Sequence, residues 1–336
     1  MKKILLSLAL FGNATFVWAC SCGSSHIISG GASGAVYTVS GDTMSQGDFY
    51  LGFSAESTHN DALSDAIILS ETESGSGHIH GIDTIHTYTT SLSYGITNDL
   101  TVNLLIPYTQ TLNIRAGELD DIAEVHQHRD VKGFGDISTI FQYKIFHDKK
   151  SKISILGGVK FPIGKDDVQD ADEVLELDLQ PGSGSFDYYA GIAYSENFNH
   201  LSFHANLLYK YTTEGSRNSE LGNALSYNIA LTYTILEQDH YHPFLEHNHE
   251  DHKDHLEYSL GTFLELNGEH LEKNKEDSIV VENTGGDIIY VTSGLQFSFL
   301  ETYSAFIAIS LPVYENYIGV QNENNYKINV GFGASF

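Results

Sequence analysis

The stretch YKINVGFGASF, residues 326–336, alternates without a break. Tyr326, Ile328, Val330, Phe332, Ala334 and Phe336 fall on one face of a β-strand, and Lys327, Asn329, Gly331, Gly333 and Ser335 fall on the other. Two environments impose this period. A strand in a soluble sandwich turns its apolar side to a core and its polar side to water. A strand in the wall of a membrane barrel turns its apolar side to lipid and its polar side to an aqueous lumen. One strand does not separate them, so the rest of the chain decides.

The same alternation recurs along the sequence. It marks strands around Phe49–Ala55, Tyr88–Ile96, Leu100–Tyr108, Ile137–Ile145, Ile153–Ile163, Phe186–Tyr194, Leu201–Tyr211, Leu225–Ile235, Leu256–Leu266, Ile289–Phe299 and Ala305–Val313. With the C-terminal strand the count is about twelve, an even number as bacterial single-chain barrels require. The links alternate in length. Asn98-Asp99, HDKKSK after Phe146, Asn197 to His200 and Glu301-Thr302 are short, whereas 57–84, 113–133, 165–184, 214–222, 268–286 and 315–324 are mostly longer and polar. Short periplasmic turns and long outer loops alternate in this way in a barrel, and a sandwich has no reason to copy it. The expected fold is all-β: a transmembrane antiparallel up-and-down β-barrel of about 12 strands with both termini periplasmic.

The N-terminus fits an exported chain. Lys2 and Lys3 precede the apolar run Ile4–Leu10, and Val17-Trp18-Ala19 is a small-residue cleavage site, so residues 1–19 read as a cleaved signal peptide. No later run of about 20 apolar residues exists to form a membrane helix. Residues 20–47, rich in Gly and Ser, read as a periplasmic N-terminal segment, a lead-in or the first part of a plug, and 48–336 as the barrel. Val17 to Cys20 also approximates a lipobox, with Trp18 fitting it poorly. The 20 Tyr and 18 Phe against 5 Pro suit aromatic girdles on long strands. A net charge of −27 argues against nucleic acid as a partner. Cys20 and Cys22 are the only cysteines, so no disulfide staples the barrel.

Several stretches resemble one family in order. They are KGFGDIS (132–138), GGVKFPIG (157–164), LQPGSGSFDYYAGIAYS (179–195), FLELNGEH (263–270), TGGDIIYVTSGLQF (284–297) and ISLPVYENYIG (309–319). Together they are similar to the outer-membrane barrel "transporter" family, the phenol meta-degradation-type barrel proteins. The resemblance covers roughly 48–336. It implies a bacterial outer-membrane barrel with a transport role and transfers no catalytic residue set. The terminal Phe336 likewise resembles the signal read by the barrel-insertion machinery, which with outer-membrane lipid is an expected partner.

The histidines depart from the family's plainer members. Residues 238–255, QDHYHPFLEHNHEDHKDH, hold His240, His242, His247, His249, His252 and His255 among five carboxylates. Imidazole and carboxylate are ligands for Zn, Cu, Ni or Co. By strand order this insertion faces the periplasm, where Cys20 and Cys22 also emerge, so these eight residues form the candidate metal set. A flexible polar insertion without consequence is the plainer account. His78 and His80 in one outer loop, and His126 and His128 in another, make a weaker second set. Alternation turns Asp136, Lys144, Lys160, Asp187, His204, Lys210, Glu257 and Glu265 into the lumen, where charges either set selectivity or pair and close it. No cofactor is required by these features.

Two functions follow. The first is an outer-membrane channel or transporter for small solutes, with small molecules or metal ions as cargo. The second is a metal-binding barrel, sequestering or sensing, without an open pore. An outer-membrane hydrolase is a weaker third reading, since no spacing singles out a Ser/His/carboxylate triad; the chain reads as a non-enzyme.

Overall fold

The computed structural model describes residues 35–75, 79–119, 122–170, 173–237, 258–300 and 302–336. Twelve long strands form one closed antiparallel wall. They are β1 (Phe49–Asp61), β2 (His80–Thr97), β3 (Leu100–Leu119), β4 (Ile137–His147), β5 (Ser151–Phe161) and β6 (Asp187–Phe198). Then come β7 (Leu201–Tyr211), β8 (Ala224–Glu237), β9 (Tyr258–Leu271), β10 (Gly286–Phe299), β11 (Tyr303–Tyr317) and β12 (Glu323–Ser335). Each strand pairs with its sequence neighbours, and β12 returns to β1 with Phe53 opposite Phe332 and Leu51 opposite Ala334. Phe49 and Phe336 exchange backbone hydrogen bonds of 3.0 and 2.8 Å across this seam. Closure matters because an open edge would leave a row of unpaired amides, which hydrocarbon cannot satisfy.

The outer face carries the apolar half of every alternation. Ile155, Ile192, Leu207, Ile229, Leu264 and Ile307 are all exposed around the belt. In water such a continuous band would far exceed the apolar patch a soluble monomer tolerates. In lipid each of these side chains gains roughly 1.5–3 kcal/mol. Exposed aromatics flank the band at both ends, with Tyr94, Tyr143, Tyr233 and Tyr303 at one and Phe161, Phe186, Tyr188 and Tyr211 at the other. Among the described residues no helix is long and apolar enough to cross a membrane.

The two ends differ as the link lengths predict. Residues 98–99, 148–150 and 199–200 turn at one end, called here the turn end, where Leu300 and Thr302 also lie. The six longer links leave from the other, the loop end. The His-rich insertion joins β8 to β9, whose paired Glu237 and Ser259 lie at the turn end; the insertion itself, like Cys20 and Cys22, lies outside the described residues.

Several local features depart from the sequence expectation, among them the reach of β1 to Asp61 and the start of β2 at His80, which places His80 on a strand rather than in a loop. Strand β3 continues past Tyr108 to Leu119, because it gains partners above the rim in Val131–Phe134 and Ala123–Gln127. The fifth strand stops at Phe161 rather than Ile163, since Pro162 has no amide to donate. The first long link holds a helix, α1 (Asp65–Ser74), rather than only loop. Ser64 precedes it, Asp65 sits in its first turn, and Gly75 ends it at φ 73° in the left-handed region. Its Ile68 packs on Leu63 and Ile79.

Candidate functional site

The lumen is the site, and its wall is polar. Six of the candidate lumen residues lie on strands and face inward: Asp187 on β6, His204 and Lys210 on β7 and Glu265 on β9 are buried, and Lys144 on β4 and Lys160 on β5 are half-buried. Asp136 is buried just ahead of β4. Glu257 lies outside the described residues. A band of side chains also runs around the wall across five adjacent strands. Asn228 donates to Asn206 (3.4 Å), Asn267 to Asn228 (3.1 Å) and Thr292 to Asn267 (2.7 Å), and Thr292 reaches Ser310 at 2.8 Å. Amides and hydroxyls are common on any polar strand face, and only the shared register identifies this band, so sequence reasoning missed it.

In the loop half of the lumen the charges pair. The Lys160 ammonium lies 3.1 Å from Asp136 and 2.6 Å from Asp187, and it contacts the Ser183 hydroxyl. Asp136 also accepts from the amides of Gly164 (3.0 Å) and Ser183 (2.9 Å) and from the Ser183 hydroxyl (2.7 Å). Ser185 donates to Asp187 at 2.8 Å. Three separate motifs, KGFGDIS, GGVKFPIG and LQPGSGSFD, thus meet in one network. Two glycines permit the approach. A Cβ on Gly164 would lie 2.6 Å from the Gly135 carbonyl carbon, and one on Gly182 would lie 2.6 Å from that of Gly164. Paired charges satisfied by hydrogen bonds hold their geometry, whereas one left alone would be costly. Lys210 is buried in the fields of Lys160, Asp187 and Glu269.

The turn half is filled by the chain itself. Residues 35–44, part of the segment read as a periplasmic lead-in or the first part of a plug, run inside the barrel and are held by the wall's polar groups. The Glu265 carboxylate accepts the amides of Val36 (2.6 Å), Tyr37 (3.1 Å) and Thr38 (3.0 Å), and the Thr38 hydroxyl at 2.8 Å. The Tyr37 hydroxyl donates to Glu56 on β1. Val39 donates to Asn206 at 2.9 Å. Gln142 donates to the carbonyls of Ser40 (2.7 Å) and Asp42 (2.8 Å), and Lys152 pairs with Asp42. Lys144 ties Thr43 (3.0 Å) to the Asn98 carbonyl (2.8 Å) at the turn end. A cavity of about 740 Å³ remains beside the plug, lined in part by Asp42, Tyr50, Asn103 and His204.

At the loop end the link between β5 and β6 folds inward as a lid. Its Val168, Leu175 and Leu179 join Ile82, Ile85, Ile114 and Val131 in a buried apolar cluster. The Gln180 amide braces it, accepting from the Val168 amide (2.9 Å) and donating to the carbonyls of Val168 (3.0 Å) and Leu175 (2.8 Å). The second histidine set gathers around this lid. His80 Nε2 is 3.7 Å from Glu176 and its Nδ1 3.9 Å from Asp178. His128 Nδ1 is 2.7 Å from Asp170, and the His80 and His128 rings lie 6.4 Å apart. His126 faces Glu118 at 3.2 Å, and His78 lies outside the described residues.

One Ser–His contact exists in the lumen. Ser195 Oγ is 2.9 Å from His204 Nδ1, but that hydroxyl also meets Ser40 Oγ at 2.8 Å and the Gly41 amide at 2.7 Å. His204 Nε2 is buried without a hydrogen-bond partner among the described residues, so no carboxylate orients the ring as a triad requires.

A family model described as "Putative MetA-pathway of phenol degradation" matches residues 73–251. Among solved structures the chain is similar to an outer membrane channel from Pseudomonas putida F1. That match has 11% identity and a TM-score of 0.55, covering 88% of this chain and 97% of the other. Weaker likenesses include the β domain of the Bordetella autotransporter BrkA (9% identity, TM-score 0.43, covering 87% and 100%). Another is a Pseudomonas aeruginosa FadL homologue (9% identity, TM-score 0.39, covering 86% and 90%). At such identities these likenesses speak to the fold alone. A search among curated proteins finds no match.

Proposed function

The chain belongs to the family whose model bears that description, and from this premise we propose that it is a bacterial outer-membrane channel for small solutes, closed at rest by its own N-terminal segment. The loop end faces outward and the turn end faces the periplasm. The observation that carries the reading is the polar wall around residues 35–44. A barrel filled only for stability would pack its interior with itself. Here the filling is an irregular segment of chain ahead of β1, held mainly by hydrogen bonds, which water and solute can replace one by one. Mixed charges on the wall favour neither anions nor cations strongly.

A second reading keeps the plug fixed and makes the barrel a metal-binding protein acting through His240, His242, His247, His249, His252 and His255 with Cys20 and Cys22. The filled lumen favours it. Planar-bilayer recording of the mature protein separates the two, with Glu265→Gln as the companion variant. Hydrogen bonds to a charged acceptor contribute about 1.5–3 kcal/mol each, so losing that charge should raise the open fraction at least ten-fold. Conductance in neither protein would sink the channel. Blockade by micromolar Zn²⁺ from the turn-end side would tie the insertion to gating.

A further inference from the structure

The geometry points to a divalent transition-metal site at the loop end, made by His80, Glu176 and Asp178, that fastens the lid to strand β2. It is separate from the His-rich insertion, whose flanking residues Glu237 and Ser259 lie at the other end of the barrel.

The three residues come from two elements with no sequence relation. His80 opens β2 on the inner wall. Glu176 and Asp178 flank Leu177 in the short 3₁₀ turn Leu177–Leu179 of the lid. One ligand atom from each lies within 4.8 Å of the others. The His80 side chain is only 5% exposed, and Asp178 and Glu176 are 16% and 28% exposed. At 3.7 and 3.9 Å the carboxylates stand too far from the ring nitrogens for hydrogen bonds. A Zn²⁺ takes one of the two ring nitrogens together with the two carboxylates, each at about 2.0–2.2 Å, and three ligand atoms within 4.8 Å of one another are near enough to converge on it.

The surroundings suit a cation. The trio borders a cavity of about 420 Å³, whose charged lining among the described residues comprises Glu176, Asp178, Glu220, Glu276 and Glu282 against Lys275. The cavity gives an entry path and room for a water as fourth ligand. One imidazole with two carboxylates suits Zn²⁺ or Co²⁺, whereas Ca²⁺ wants six or more oxygens. The lid's apolar cluster positions the turn, so the ligands are held by packing rather than by a free loop.

The test uses the full mature barrel refolded in detergent, with Zn²⁺ as probe and hydrogen exchange as readout, so that binding at the insertion is not mistaken for binding here. Zn²⁺ should slow exchange across residues 173–180 in the wild type. In H80Q, and in the double variant E176Q/D178N, that protection should vanish. Binding measured by calorimetry should lose one equivalent, or weaken by no less than the roughly 10–100-fold that loss of a mere outer-shell partner costs. The glutamine and asparagine changes preserve shape, and unchanged heat-modifiable mobility on gels establishes that the variants fold. Equal Zn²⁺ protection of 173–180 in wild type and variants, or none in the wild type, overturns the site and leaves an ordinary His–carboxylate ion pair.

Discussion

The two halves of the lumen are closed by opposite physics. At the turn end the plug, residues 35–44, is held by amides, hydroxyls and carboxylates of the wall, with Glu265 and Gln142 as its main acceptor and donor. At the loop end the lid is held by Val168, Leu175 and Leu179 in an apolar cluster above the Lys160 network. Hydrogen bonds exchange with water at small net cost, about 0.5–1.5 kcal/mol each, and can be released stepwise. Apolar burial is lost only by moving the whole lid. The difference predicts that the plug loosens stepwise while the lid moves as one piece.

The comparison can be broken most severely at Lys160. Lys160→Met would leave Asp136 and Asp187 buried without their cation, at a cost of about 3–5 kcal/mol. The urea midpoint of the refolded barrel should fall, with protection at the rim lost first; an unchanged midpoint would mean the network is not structural. Leu179→Ala comes next, at about 2–5 kcal/mol against the lid. Hydrogen exchange should quicken across 165–180 while residues 35–44 keep their protection. If both quicken together, the halves are one unit and the contrast fails. Gln142→Ala should do the reverse on a smaller scale. It removes two hydrogen bonds, loosens 35–44 by roughly 1–2 kcal/mol and leaves the lid alone.

The smallest effect is electrostatic. In the loop-end links Lys275 hydrogen-bonds Glu220 at 3.0 Å, and this bond, with the carboxylate's charge, raises the lysine pKa above its ordinary value. A raised folded-state pKa means that the contribution is complete below the unfolded lysine's pKa and lost as pH rises through the folded value. The contact should therefore persist at neutral pH and fail only in alkali. An NMR titration of methyl-labelled lysines should show Lys275 ionising later than in Glu220→Gln; coincident curves would show that the pair contributes nothing, as exposed pairs often do.

The wall was legible in sequence, whereas its contents were read only as far as the alternative that 20–47 begins a plug. Lipid outside and water inside force a period of two on every strand, so Phe332, Ile192 and Leu264 announce their face locally. Residues 35–44 obey no period, because their partners Glu265, Asn206 and Gln142 are spread over three strands. Alternation did point Glu265 and Lys160 inward, yet it carried no sign of what each would meet. The lid's Val168, Leu175 and Leu179 sit in a stretch that reads as polar loop, and their apolar purpose shows only once Ile82 and Ile114 face them. His80 stood out in the sequence as half of a weak pair, and its actual neighbours lie almost a hundred positions downstream.

The placement of the plug also orders assembly. Val36 and Glu265 are separated by 229 positions, although the first belongs to the segment leading into β1 and the second to β9. Contacts that distant bring no gain until the intervening chain is in place. During biogenesis the nascent interior must therefore stay hydrated while most strands are laid down, and a segment that leaves the ribosome ahead of every strand is among the last to find its seat.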